Sequence, residues 1–254
     1  MMIKKIIFSI LALVAIAPAA KPYEVGDEDL RYDVYFKWGL ISKKAGEVNI
    51  NALTQTDGTF QATMTGRSAR WADRFYQVRD TMQGRISSQG FYPQSYLLVS
   101  HEGGVFKRET ISYTRNGDNV TARCNRYVQK KNKPMTHTEI ELSANGYTLD
   151  MMSAFYYMRF MDYQNMQPGQ TQKLFIFSGK AKEILTITFQ GNAEFSYKSI
   201  KTAPVYKIKF SFTSKTQKKS SGDIFAWIGK ESRIPYKLQG DLAIGNIQCL
   251  YVPE

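Results

Sequence analysis

The sequence predicts an all-β, mainly antiparallel fold: an incomplete or closed β-barrel, or a curved sheet, with one helix packed against the concave side. Three observations predict it. Runs with period-two alternation recur along the chain, the pattern of strands with one buried face. Turn dipeptides such as Asp57-Gly58 and Asn116-Gly117 separate neighbouring runs, as tight hairpins require. One clear helical stretch, "DMMSAFYYMRFMDY" over residues 150–163, is apolar around most of its circumference and therefore needs cover on several sides.

At the N-terminus, Lys4 and Lys5 precede an apolar run over residues 6–16, and Ala17-Pro18-Ala19 supplies small residues for a peptidase. Residues 1–19 are expected to be a secretory signal, too short for a stable membrane span. No cysteine follows the run to carry a lipid anchor. Residues 20–254 are expected to form a single antiparallel β domain, since no Pro/Ser-rich linker or solenoid-spaced repeat divides them.

"LRYDVYFKW" alternates large apolar and polar side chains, and "GLISKKAG" is expected to turn the chain into "EVNINAL". "GTFQATMTG" follows Asp57-Gly58 as the next strand. Residues 68–75 have the spacing of one or two helical turns, with Ser68 as N-cap and Trp71 and Phe75 on one face. Strands are expected over 76–86, 94–101, 105–114, 119–129 and 136–142. Asp150 caps the long helix, and "QPGQ" closes the region after it. Further strands at 172–177, 184–189, 193–200, 205–213, 223–228, 236–243 and 246–252 bring the sheet to roughly ten to fourteen strands, a barrel-sized series.

A curved sheet cannot leave its apolar inner face wet, so the long helix is expected to be its second layer. Its methionines also suit an adaptable lining for apolar ligands. The candidate lining comprises Met151, Phe155, Met158, Met161 and Tyr157 from this helix, with Trp71 from the shorter one.

The search for chemistry finds little. His101 and His137 lack metal-ligand spacing, and neither a nucleophile elbow nor a phosphate or dinucleotide loop is present. No metal, cofactor or catalytic residue is therefore expected. Among Asp73, Asp80, Glu102, Glu109, Glu139 and Glu141, linear spacing singles out no catalytic pair. Cys124 and Cys249 each fall in an alternating run, compatible either with a disulfide or with two buried thiols.

The formal net charge of +12 implies attraction to anionic surfaces, and the export signal argues against nucleic acid as the partner. Arg123, Arg126, Lys130, Lys131 and Lys133 surround one hairpin and are the candidate contacts to an anionic envelope surface. Lys215, Lys218 and Lys219 form a second basic tip. Arg67, Arg70, Arg74 and Arg79 are expected to pair internally with Asp73 and Asp80.

Four blocks, "LRYDVYFKWGLISKKAGEVNI", "YQVRDTMQGRISSQGFYPQSYLLVSHEGGVFKRETISY", "DMMSAFYYMRF" and "ESRIPYKLQGDLAIGNI", together resemble the bacterial exported family known as domain of unknown function 3108. That resemblance implies an envelope protein in the periplasm of a Gram-negative bacterium, of the Bacteroides type, and carries no catalytic residue. The expected shape is similar to that of periplasmic lipoprotein carriers, unclosed barrels plugged by helices. The function expected is non-catalytic binding of an apolar or amphipathic envelope molecule, such as a lipid. A pocketless structural or interaction protein, and a hydrolase, are the alternatives. Oligomeric state is not legible.

Overall fold

The computed structural model describes residues 25–198, 200–214, 222–242 and 245–253. The expected signal segment and the basic tip at Lys215, Lys218 and Lys219 lie outside the described residues. The strands are β1 (Glu28–Trp38), β2 (Ile41–Thr54), β3 (Thr59–Ser68), β4 (Val78–Ser87), β5 (Pro93–Glu102), β6 (Val105–Asn116), β7 (Asn119–Lys130) and β8 (Thr136–Asn145). After them come β9 (Thr148–Leu149), β10 (Thr171–Phe177), β11 (Lys182–Tyr197), β12 (Ile200–Ser214), β13 (Ile224–Gly229), β14 (Pro235–Asp241) and β15 (Asn246–Val252). A short helix α1 (Arg70–Asp73) links β3 to β4, and α2 (Met151–Phe160) links β9 to β10.

All fifteen strands join one sheet in the order β8-β7-β6-β5-β4-β3-β2-β1-β15-β14-β13-β12-β11-β10-β9. Every neighbouring pair is antiparallel except β9 with β10. The pairing of β1 with β15, from Arg31↔Val252 to Lys37↔Asn246, joins the two halves of the chain. The two sheet edges then approach each other. At this seam the Lys182 Nζ of β11 donates to the Ser143 carbonyl of β8 at 2.9 Å. Tyr113 of β6 also stacks on Phe177 of β10 at 6.0 Å. The result is a nearly closed barrel with one seam.

Local chemistry explains most boundaries. Asn116 pairs with Asn119 around a two-residue turn in which Gly117 adopts φ 60°, a conformation that costs glycine little. Pro93 and Pro235 open β5 and β14, where proline's missing N–H does least harm. Gly46 sits at a bulge between β1 and β3, and a Cβ there would lie 2.5 Å from the Arg67 carbonyl oxygen.

Several sequence expectations need correction. Residues 41–45 do not turn the chain: they already belong to β2, because the reversal is completed at Gly39 and Leu40 and the bulge at Gly46 absorbs the irregular pattern. The separate strands expected over 184–189 and 193–200 are largely one strand, β11, broken in phase by a bulge at Gly191. Ser68 does not cap α1, whose N-cap is Ala69 without a side-chain bond. The Ser68 hydroxyl instead donates to Asp73 and accepts from the Val78 amide.

Candidate ligand-binding interior

The interior is built around α2. Asp150 and Ser153 form a reciprocal capping box, with the Ser153 amide donating to Asp150 Oδ1 at 2.8 Å and the Asp150 amide donating to Ser153 Oγ at 2.9 Å. Both residues are buried, so the helix starts inside the barrel. Burial raises the Asp150 carboxyl to about 6, against hydrogen bonds from Ser153 that favour the ionised form.

Two apolar clusters flank the helix. Met152, Phe155, Tyr156 and Phe160 pack with inward residues of β1–β7, including Phe60, Ile86 and Ile111. Ala154, Met158 and Met161 pack with Leu185, Ile187, Tyr206 and Ile208 on β11 and β12. Tyr157 touches both clusters. The helix comes close to the wall at Gly84 of β4, where an added Cβ would sit 3.0 Å from Met152 Cγ. Glycine makes room for the helix here.

At the other end of α2, Arg159 is 2% exposed. Its guanidinium donates to both Glu28 carboxylate oxygens, at 2.5 and 2.8 Å, and its Nε donates to the Arg233 carbonyl at 2.8 Å. The cation also lies 5.1–5.4 Å from the rings of Phe155, Tyr156 and Phe160. No sequence pattern pairs Arg159 with Glu28, because their proximity depends on where α2 lands inside the barrel.

Aromatic contacts lead from the surface to the seam. The Arg115 guanidinium covers Tyr92 at 3.4 Å, Tyr92 lies 4.8 Å from Tyr147, and Tyr147 lies 5.2 Å from Tyr157. The hydroxyls of Tyr147 and Tyr113 are buried without a hydrogen-bond partner among the described residues. Tyr32, on the β1 side of the interior, is in the same state. Orphaned hydroxyls of this kind are uncommon in packed interiors. Sequence reasoning missed Tyr92, Tyr113 and Tyr147, whose only linear signal is their size at strand ends.

The candidate residues are distributed unevenly. Phe155, Met158 and Met161 are buried around α2, whereas Met151 is exposed at its start. Trp71 sits on α1, where its Nε1 donates to the Lys44 carbonyl at 2.7 Å and Lys43 lies over its ring at 4.3 Å. The basic set divides between faces. Arg126 points inward to buried Glu109 at 2.5 Å, while Arg123 pairs outside with Glu139 and Glu141. Lys130 and Lys131 line a shallow cleft with His101, and Lys133 is exposed beside them.

Of the carboxylates, Asp80 and Glu102 are brought together on β4 and β5. Burial, then the Glu102 charge, holds the Asp80 carboxyl above its ordinary range, although the His101 amide, donating to Asp80 at 3.2 Å, works against them. Lys107 binds Glu102 at 3.0 Å and offsets its charge. His137 stacks on Tyr127 and contacts Asn125, and the His101 ring lies tilted against Phe106 at 4.9 Å. Among the described residues no group of three His, Cys, Asp or Glu side chains is placed to hold a metal ion. Nor is any described helix long and apolar enough to cross a membrane. Cys124 and Cys249 are free thiols.

This arrangement defines a class: a nearly closed all-β barrel whose interior is occupied by one enclosed helix. Within that class the chain belongs to the family described as Protein of unknown function (DUF3108), whose model matches residues 31–250. Its fold is similar to that of a beta-barrel-like protein of domain of unknown function DUF1849 from Brucella abortus. The two share 9% sequence identity at a TM-score of 0.62, with 90% of this chain and 97% of the other covered. At that identity the likeness shows the fold alone. No curated protein sequence matches the chain.

Proposed function

We propose that this protein is an exported, non-catalytic binding protein of the Gram-negative envelope, and that its barrel takes up an apolar or amphipathic molecule such as a lipid beside α2. The observation that carries this reading is the pair of buried, unpartnered hydroxyls, Tyr113 and Tyr147, next to the unpaired seam. An amphipathic guest satisfies both halves of that environment. Its polar atoms accept from the two phenols, and its apolar part lies against Tyr157, Phe175 and Phe177. The seam supplies the way in, since only side-chain contacts and the Lys182 bond need to part there, not a ladder of backbone hydrogen bonds. Export is supported by the sequence of residues 1–19 and by the resemblance already described.

Native mass spectrometry of protein purified from its own host tests the reading, together with displacement of an environment-sensitive fluorescent fatty acid. A co-purifying lipid and saturable probe binding that falls in Tyr157→Ala are expected. A bare-chain mass under gentle ionisation, with no probe uptake, would overturn it.

A further inference from the structure

The antiparallel order brings one set of connections to a single end of the barrel: the β1–β2 turn, the α1 segment between β3 and β4, the β5–β6 and β7–β8 turns, and the β14–β15 turn. Apart from Leu53, Met151 and Val252, the large apolar side chains exposed among the described residues all lie at this end. Leu40, at the tip of the β1–β2 turn, is fully exposed between Trp38 and Ile41. The adjoining β14–β15 turn presents Leu242, and the two tips touch: a side chain at Gly245 would run into the Lys37 carbonyl and the Trp38 side chain. On the other flank Phe75 is 82% exposed beside Tyr76, and α1 is tied to β2 through Trp71. Tyr76 in turn packs against Gly103 of the β5–β6 turn, which borders Lys131. The rim is therefore continuous from Leu242 round to the β7–β8 turn.

Charge on this rim has one sign in excess. The acids Asp73 and Glu102 are already bound, to Arg79 and Lys107, which leaves Asp241 beside Leu242 as an acid in no ion pair among the described residues. Arg70, Arg74, Lys130, Lys131 and Lys133 have no acidic partner among the described residues. Exposed Trp, Leu, Ile and Phe on projecting tips, flanked by unpaired cations, form the pattern of a surface that dips side chains into the headgroup layer while its cations meet phosphates.

We infer that this end of the barrel docks on an anionic lipid bilayer, with Trp38, Leu40, Ile41 and Phe75 entering the interface and Lys130, Lys131 and Lys133 contacting acidic headgroups. The inference is independent of what the interior holds, because none of these side chains lines α2. It also gathers Trp71 and three of the five basic residues flagged in the sequence into one surface.

Co-sedimentation of the purified protein with vesicles of phosphatidylethanolamine and phosphatidylglycerol tests it. The wild type is expected to sediment, with its tryptophan emission shifting to the blue by a change that Trp38→Phe reduces, and to release as salt rises. Leu40→Asp is expected to weaken binding roughly tenfold or more, since it places a charge where the tip enters the interface. Lys131→Glu combined with Lys133→Glu is expected to weaken it comparably and to flatten the salt dependence. Leu53→Asp, an exposed change at the opposite end, is expected to bind as wild type. All these sites are exposed, so unchanged melting temperatures verify that the variants are folded. Absence of wild-type binding to the anionic vesicles overturns the inference. So does equal binding by Leu40→Asp, or equal wild-type binding to phosphatidylcholine vesicles.

Discussion

Arg159 of α2 and Glu28 of β1, 131 residues apart in sequence, meet inside the barrel through two parallel hydrogen bonds of 2.5 and 2.8 Å. The pair ties the end of the interior helix to the strand that joins the two halves of the sheet. Breaking one partner leaves the other buried without compensation, so Glu28→Met and Arg159→Met are each expected to cost about 3–5 kcal/mol. The double variant Glu28→Met with Arg159→Met is expected to recover a large part of that loss. Urea denaturation of the four proteins measures the coupling.

Stability is expected to fall as pH rises between about 4 and 6. The folded state raises the Asp150 carboxyl to about 6 from the ordinary aspartate value of 3.8, so within that window it holds a proton that the unfolded chain releases. The shift corresponds to about 3 kcal/mol for this wholly buried group. Asp150→Asn keeps an oxygen acceptor for the Ser153 amide and removes the titration. Its stability profile is expected to be flatter over the same window, and chemical denaturation at a series of pH values would reveal a failure of this account if the two profiles ran parallel.

Gly84→Ala is expected to destabilise by about 1–3 kcal/mol, because its methyl group would press on Met152 at the base of that side chain, where rotation gives little relief. In the Met152→Ala background the same substitution is expected to cost less but not to become neutral, because the 3.0 Å contact with Cγ is removed while the 3.1 Å contact with Cβ stays. A double-mutant cycle by thermal or urea unfolding reads the coupling directly.

Phe155→Ala and Met158→Ala are each expected to cost about 2–5 kcal/mol if the side chains serve only as core. Smaller losses accompanied by weaker uptake of a fluorescent fatty acid would mark them as lining. Both quantities come from the same purified variants.

The thiols provide a separate check. Burial pushes both Cys124 and Cys249 up to about 11, so neither is expected to react with iodoacetamide near neutral pH in the folded protein. Unfolding in denaturant without reductant should expose two reactive thiols, as counted by mass. A chain that stays two mass units light and unlabelled would instead contain a disulfide.

The sequence by itself determined most of the strand series, the hairpins at Asp57-Gly58 and Asn116-Gly117, and the Asp150-capped helix. These are local matters of side-chain period, turn torsion and capping, and each is decided within a few residues. It also implied that the helix must be enclosed, because its circumference offers water almost nothing. Tertiary structure alone decided that β1 and β15 join the halves, that Arg126 turns inward to Glu109 while Arg123 stays outside, and that Arg159 finds Glu28. It also collected Trp38, Leu40, Phe75 and the β7–β8 lysines at one end. Those outcomes depend on sheet register and closure, which set side chains from distant segments next to one another and leave no periodic trace in the chain.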